Sequence, residues 1–171
     1  MQRAIVTGGA GFIGSHIVDE LIKMGVQVTI IDDFSTGKVE NVNPAAYCWK
    51  QDLATVNIDD LTQFMEHVDT VFHLAALARV QPSIEQPIPY HDANVTGTHN
   101  LLVAAADAGV KRFIYSSTSS AYGNNPYPNV ETQPDDCLNP YSASKAAGEK
   151  FCKMYTDLYG LETIVLRYFN V

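Results

Sequence analysis

Thr7-Gly8-Gly9-Ala10-Gly11-Phe12-Ile13-Gly14 decides the fold. It follows the apolar run Ala4 to Thr7 and opens an amphipathic stretch from about Phe12 to Met24, so it reads as the turn joining a first strand to a first helix. The spacing Gly8-x-x-Gly11-x-x-Gly14 lets the chain turn sharply, lets a pyrophosphate approach the backbone, and lets the helix pack against the strand. Free N–H groups at the helix start would hold such a dianion. Taken alone, the motif is equally the signature of a tight turn without a ligand, but its surroundings narrow the choice. A second strand-like run ends in Asp32-Asp33, and Asp32 stands 18 positions after Gly14, close to the ~20 expected of a carboxylate that binds the adenosine ribose. A carboxylate there accepts from a diol and repels an added 2′-phosphate, which favours NAD over NADP. Asp52, after the third strand, is a candidate for the adenine amino group, or a solvated or capping residue.

Outward from the turn, the runs Ala4 to Thr7, Val28 to Ile31, Tyr47 to Lys50, Thr70 to Leu74, Arg112 to Ser117 and Thr163 to Tyr168 read as strands, with helices filling most of the gaps. Strands separated by helices require crossovers, hence a parallel, doubly wound α/β sheet of order 3-2-1-4-5-6 with helices on both faces. Residues Tyr122 to Pro140, rich in Pro, Asn and Gly, read as a loop beside the site. The 171 residues, 46% hydrophobic, suit one core, and a single dinucleotide-binding domain over residues 1–171 is expected, with no second domain.

The formal charge of −8 disfavours nucleic acid and anionic lipid as partners, so any bound phosphate must be held locally by backbone N–H groups or single basic side chains. Cys48, Cys137 and Cys152 are odd in number and widely spaced, which fits neither a disulfide framework nor a zinc site. With no signal-peptide pattern and no apolar stretch near the ~20 residues that span a bilayer, a cytoplasmic location is expected. The sequon at Asn94 would matter only in a secreted protein.

Tyr141-Ser142-Ala143-Ser144-Lys145 begins another helical pattern. Residues four apart share a helix face, so the Tyr141 phenol and Lys145 ammonium can converge on one ligand, the cation favouring the phenolate needed of a general base. Lys145 could also hold a nicotinamide ribose. Tyr-x-x-x-Lys by itself is common on surface helices; beside a nucleotide fold it gains weight. The fifth strand ends in Ser116-Ser117-Thr118-Ser119-Ser120, a hydroxyl cluster at the sheet edge where open α/β folds bind ligands, though a polar turn reads the same way.

These motifs together resemble the extended short-chain dehydrogenase/reductase superfamily. The segments Asp32 to Gly37, His73-Leu74-Ala75-Ala76, Asn94 to Thr98, Ser120-Ala121-Tyr122-Gly123 and Leu166 to Asn170 further resemble the NAD-dependent epimerase/dehydratase family, in particular its UDP-glucose 4-epimerase branch, over essentially the whole chain. The resemblance implies Thr118, Tyr141 and Lys145 as catalytic residues. It implies a cofactor trough of Gly8, Gly11, Phe12, Ile13, Gly14, Asp32, Asp33, Ser35, Thr36, Gly37, Asp52, Leu53, Leu74, Ala75, Ala76, Ala78, Ser116, Ser117, Tyr141, Lys145, Tyr168 and Phe169, supported by hydrogen bonds from Asn94. Thr118, Ser119, Ser120, Tyr141 and Asn170 would meet the nucleotide-sugar, a UDP-sugar.

Dehydratases of this kind carry an acidic residue directly after the catalytic Thr, and decarboxylating relatives often do. Here Ser119 and Ser120 stand in those positions, which favours 4-epimerisation through transient oxidation at sugar C4. A dehydratase or decarboxylase, and a non-catalytic NAD-binding module, are the alternatives. Family members continue past Tyr-Phe-Asn into another strand and a smaller region that grips the nucleotide and covers the sugar. Relatives also dimerise through two long helices, here roughly Pro89 to Ala108 and Tyr141 to Tyr159. A homodimer through a four-helix interface is therefore expected, although Leu101, Leu102, Phe151 and Tyr155 could equally belong to the core.

Overall fold

In the computed structural model, which describes all residues from Met1 to Val171, the six strands are β1 (Arg3–Thr7), β2 (Gln27–Asp32), β3 (Tyr47–Lys50), β4 (Thr70–His73), β5 (Arg112–Thr118) and β6 (Glu162–Tyr168). They form one parallel sheet in the order β3-β2-β1-β4-β5-β6. The order reverses between β1 and β4, and that switch point fixes where a ligand can enter.

Strand residues alternate between two apolar layers, as a period of two requires. Ile5, Ile31, Val71, Phe113 and Tyr115 face the larger core, shared with α2 (Ile58–Phe64), α5 (Gly97–Asp107) and α6 (Pro140–Tyr159). Ala4, Val6, Val28 and Ile30 face the smaller one, closed by Val18 and Leu21 of α1 (Phe12–Lys23). On this second face Ile164 and Leu166 of β6 are 38% and 37% exposed. Helix cover is therefore complete on one face and confined to the β1–β2 side of the other.

Short α3 (Val80–Glu85) and α4 (Pro87–His91) follow β4, and α4 runs through a single π turn, Asp92–Thr96, into α5. Asn139 caps α6: its side chain accepts from Ser142 N while Ser142 Oγ accepts from Asn139 N, and Pro140 takes the first helical position, where its missing N–H costs nothing. Of the expected Tyr122–Pro140 loop, residues 123–139 form neither helix nor strand, but Tyr122 ends a short 3-10 turn, Ser119–Tyr122, and Pro140 belongs to α6. Helix α6 lies hard against β5, since a Cβ on Gly148 would come within 2.3 Å of the Tyr115 hydroxyl.

Of the residues weighed for a dimer face, Leu101, Leu102 and Tyr155 are buried in the chain's own core. Phe151 is half-buried, its ring stacked on His99 at 4.6 Å. Three of the four are thus core residues, because both helices must first cover the sheet.

A chain of buried hydrogen bonds crosses the switch point. Thr98 Oγ1 donates to the Asn94 carbonyl at 2.6 Å, so it can only accept from His73 Nε2, at 2.8 Å. His73 Nδ1 is then the acceptor for Thr7 Oγ1 at 2.7 Å, and Thr7 Oγ1 in turn accepts from the N–H groups of Leu74 and Ala75. Burial, with the Lys145 charge adding to it, holds His73 neutral far below the ordinary histidine range. Thr98→Val leaves the Nε2 proton without an acceptor in a dry site; a loss of about 1–3 kcal/mol of stability is expected by urea denaturation at pH 7.

Candidate functional site

A cavity of about 870 Å³ opens along the carboxyl ends of the strands. Its floor is the turn after β1. Gly8 has φ +70°, and a Cβ there would lie 2.7 Å from Ala75 N; one on Gly14 would lie 2.1 Å from the Gly8 carbonyl oxygen. Those two glycines let the turn close on itself. Gly11 differs: a Cβ there would meet only the Gly8 oxygen, at 3.2 Å, and would project into the space that Gly11 lines. Phe12, Ile13 and Gly14 form the first turn of α1, whose N–H groups have no partner within the helix.

Asp32 closes the β2 side. It is buried, and its two oxygens accept from Ala10 N and Phe34 N at 2.9 Å each, which fixes the carboxylate while leaving lone pairs for a ligand. Asp33 instead accepts from Ser35 N and Oγ, organising the Asp33–Gly37 loop. Asp52 accepts from Ala54 N and so acts as a turn cap as well as a wall residue.

On the opposite wall, Tyr141 and Lys145 rise one turn apart from α6. Lys145 is 2% exposed, with its Nζ 4.4 Å from the Tyr115 ring centroid and the Tyr115 hydroxyl donating to the Lys145 carbonyl. Burial pulls the ammonium down from the ordinary 10.5 to about 8, against the raising influence of Cys152 and Glu149. No protein oxygen accepts a hydrogen bond from this Nζ, so its donors remain for a ligand in the cavity. Tyr141 stands edge-on to Tyr90, ring centroids 6.5 Å apart, and its N–H donates to Ser83 Oγ.

Of the residues named from sequence, Gly8, Gly11, Phe12, Ile13, Gly14, Asp32, Asp33, Ser35, Thr36, Gly37, Asp52, Leu53, Leu74, Ala75, Ala76, Ala78, Ser116, Ser117, Tyr141, Lys145 and Tyr168 share this wall. Asn94, Thr118, Ser119, Ser120, Phe169 and Asn170 lie outside it. Asn94 is buried behind the wall, where it holds the N–H and C=O of Leu77 and donates to Ser144 Oγ, beside Lys145. The π turn carries it, an extra residue per turn aiming the side chain away from the regular helix face. Thr118 ends β5, its Oγ1 accepting from Ser120 N and its proton free to donate. Phe169 is exposed and stacks on Tyr122.

Two features escaped the sequence reading. Arg79, exposed at the cavity edge, has φ +154°, a conformation that costs a non-glycine residue about 1–3 kcal/mol. The second is a brace. Glu149, one turn past Lys145, accepts from Ser117 Oγ and from Arg167 Nε and Nη2; Arg167 also pairs with Asp135 and lies 4.6 Å over the Tyr122 ring. It ties the 123–139 loop to α6, β5 and β6. The one legible signal for it was an arginine directly after the apolar run Ile164-Val165-Leu166.

With this geometry in place, the chain can be set beside known proteins. A family model described as the NAD dependent epimerase/dehydratase family matches residues 4–171. The chain belongs to the NAD dependent epimerase/dehydratase family. Within it, the chain is 40% identical over 171 residues to the UDP-glucose 4-epimerase of Streptococcus mutans and 38% identical over 171 residues to that of Lactobacillus helveticus. It spans 98% or 99% of itself but about half of these curated relatives, 51% and 52% of their lengths. Among solved structures of the family, it superposes on a UDP-N-acetylglucosamine 4-epimerase from Methanobrevibacter ruminantium with TM-score 0.93 at 42% identity, covering 99% of this chain and 55% of that one. For the Thermus thermophilus UDP-glucose 4-epimerase complexed with NAD the TM-score is 0.90 at 38% identity, covering 98% and 55%. A dTDP-glucose 4,6-dehydratase from Streptomyces venezuelae gives 0.90 at 32%, covering 97% and 55%. No helix is long and apolar enough to cross a membrane.

The glycines separate into two experimental classes. Gly14→Ala is expected to cost about 3 kcal/mol or more in thermal or urea unfolding, because its Cβ meets backbone; Gly11→Ala is expected to fold normally and to weaken NAD binding in calorimetry. Lys145 yields a pH test. Below pH 8 the folded and unfolded chains both carry its proton and folding bears the full burial penalty, about 3 kcal/mol. Between 8 and 10.5 only the unfolded chain keeps the proton, so stability rises with pH. Lys145→Met is therefore expected to be more stable than wild type at pH 7 by denaturant unfolding, with a margin that shrinks toward pH 10.

Proposed function

We propose that this chain is the NAD-binding, catalytic portion of a nucleotide-sugar 4-epimerase of the UDP-glucose/UDP-galactose type. One observation carries the reading: Tyr141 and Lys145 open onto the same cavity as the Gly8–Gly14 turn and the fixed Asp32 carboxylate. A general base, an unpaired cation and a dinucleotide cradle thus share one space.

The residues fit the cofactor. Gly11 leaves room where a side chain would intrude, Asp32 presents lone pairs suited to a ribose diol and adverse to a 2′-phosphate, and the Lys145 donors await an acceptor. Bound NAD would supply a hydride acceptor that later returns the hydride. The protein's own part is proton handling. Tyr141 takes the proton of the sugar C4 hydroxyl as a phenolate and returns it after the sugar has turned over. Lys145, positive below pH 8, stabilises that phenolate and holds the adjoining ribose. Thr118, next to the cavity-lining Ser117 at the end of β5, accepts from Ser120 N and keeps its hydroxyl proton to donate to the sugar oxygen.

Dehydration is the competing chemistry among the family's structures, and it requires an acid for the leaving hydroxyl. Ser119 and Ser120 follow Thr118 here, and no carboxylate stands in those positions. Of the cavity's four carboxylates, Asp32, Asp33 and Asp52 stand on the β2–β3 side and Asp92 lies on the π turn, paired with His91. That favours an isomerised product. A cytoplasmic, dimeric protein fits the reading; the dimer would use the outer surfaces of α5 and α6, where His99, Val103 and Met154 keep partial exposure.

Incubation with NAD and a panel of UDP-, GDP- and dTDP-sugars, followed by NMR, tests the proposal. Conversion of UDP-glucose to UDP-galactose is expected, with Tyr141→Phe slowing it by about a hundredfold or more. NAD binding without turnover of any sugar would reduce the isolated chain to a cofactor-binding module; a dehydrated or decarboxylated product would move it to the other branch.

A further inference from the structure

We propose that Arg79 is a diphosphate-binding residue of the cavity, its guanidinium forking onto the phosphate oxygens of a bound nucleoside diphosphate. The inference rests on the function proposed above for the identity of the cavity as a nucleotide site, and adds a residue that the sequence reading did not assign.

The cavity wall is acidic, with four carboxylates and only two cations, Arg79 and Lys145. A protein of net charge −8 must supply positive charge to a diphosphate from individual side chains. Lys145 is buried over an aromatic ring and committed to the Tyr141 end. Arg79 is exposed at the cavity edge, and none of the chain's ion pairs includes it. An unpaired planar fork of five donors is the side chain best matched to phosphate oxygens.

The backbone strengthens the case. Arg79 sits at φ +154° and ψ +132°, where glycine would be at ease and arginine is not. Its neighbours impose that conformation. Leu77, two residues before, is pinned at both N–H and C=O by the buried Asn94 side chain. Val80, the next residue, starts α3, and its carbonyl accepts from the fully buried Ser83 hydroxyl, which also receives the Tyr141 N–H. Strain that the surroundings over-determine collects at ligand clamps.

The charge of Arg79 also acts on the Tyr90 phenol, whose ring abuts that of Tyr141. Arg79 therefore faces the sugar-oxidising end, while the Gly8–Gly14 turn holds the other. The diphosphate of the nucleotide-sugar is the expected ligand, and the diphosphate of NAD is the second source of the same chemistry.

Calorimetric titration of the wild-type chain, Arg79→Gly and Arg79→Lys with UDP, uridine and NAD decides the matter. Arg79→Gly is expected to melt no lower than wild type, since glycine relieves the backbone, yet to bind UDP at least about tenfold more weakly. Arg79→Lys should fall between, and uridine should bind all three alike. A selective loss of NAD affinity instead would uphold the clamp and assign it to the cofactor. Affinities for UDP and NAD that stay within about twofold of wild type in Arg79→Gly would overturn it, as would equal losses for UDP and uridine. In both cases wild-type NAD binding would leave the proposed function standing, whereas a wild-type chain that binds neither UDP nor NAD would overturn both.

Discussion

The buried hydrogen-bond chain through His73 is the constraint on which the site depends. It begins at Thr7, the last residue before the glycine turn, crosses β4 at His73, reaches α5 at Thr98 and returns through the Asn94 carbonyl. From Asn94 the side chain continues to Leu77 on the cavity wall and to Ser144 on α6. Four stretches far apart in sequence, around residues 7, 73–77, 94–98 and 144, are thereby held in register by donors whose direction admits a single arrangement. Thr7, His73, Asn94 and Thr98 are fully buried, so a break among them leaves an unpaired polar group rather than a group rehydrated by water. The Gly-rich turn and the Tyr141–Lys145 pair keep their relation because both ends of this chain are fixed.

The protein accepts local instability to equip the cavity. Lys145 surrenders hydration for a ring and the field of Glu149, and Arg79 adopts a backbone conformation suited to glycine. Both are cations in a wall whose other charged residues are carboxylates, and neither forms an ion pair within the protein. Tight packing offsets the cost elsewhere, as where Gly148 lets α6 close on Tyr115.

The sequence made the architecture plain because its signals are local: a glycine turn, six apolar runs and a Tyr-x-x-x-Lys each declare themselves within a dozen residues. The crossovers required a parallel sheet, the order expected was that of the dinucleotide-binding doubly wound fold, and the observed sheet matches it. What was not legible depends on contacts formed across long separations. Asn94 was read as a support for the cofactor, yet its partners at 77 and 144 could not be known from spacing. Leu101 and Tyr155 could have faced a second subunit or the sheet, and only the packing of α5 against α6 decides. The glycine spacing did not reveal that, of the three motif glycines, Gly11 is the one whose added Cβ meets no atom closer than 3.2 Å. Arg79 carries no motif at all; its meaning comes from a dihedral angle and from the absence of an ionic partner.

The bare second face of β6 has a dynamic consequence. The strand pairs only with β5, and α6 covers one side of it, while Ile164 and Leu166 lie open on the other. Little apolar burial opposes its detachment compared with β1, which is flanked by strands and roofed on both faces. Its amides will exchange with solvent ahead of those of the central strands, through openings smaller than global unfolding. Tyr168, at its end, lines the cavity, so the far wall of the site breathes with an edge strand, and a ligand that touches Tyr168 will slow that exchange as it binds.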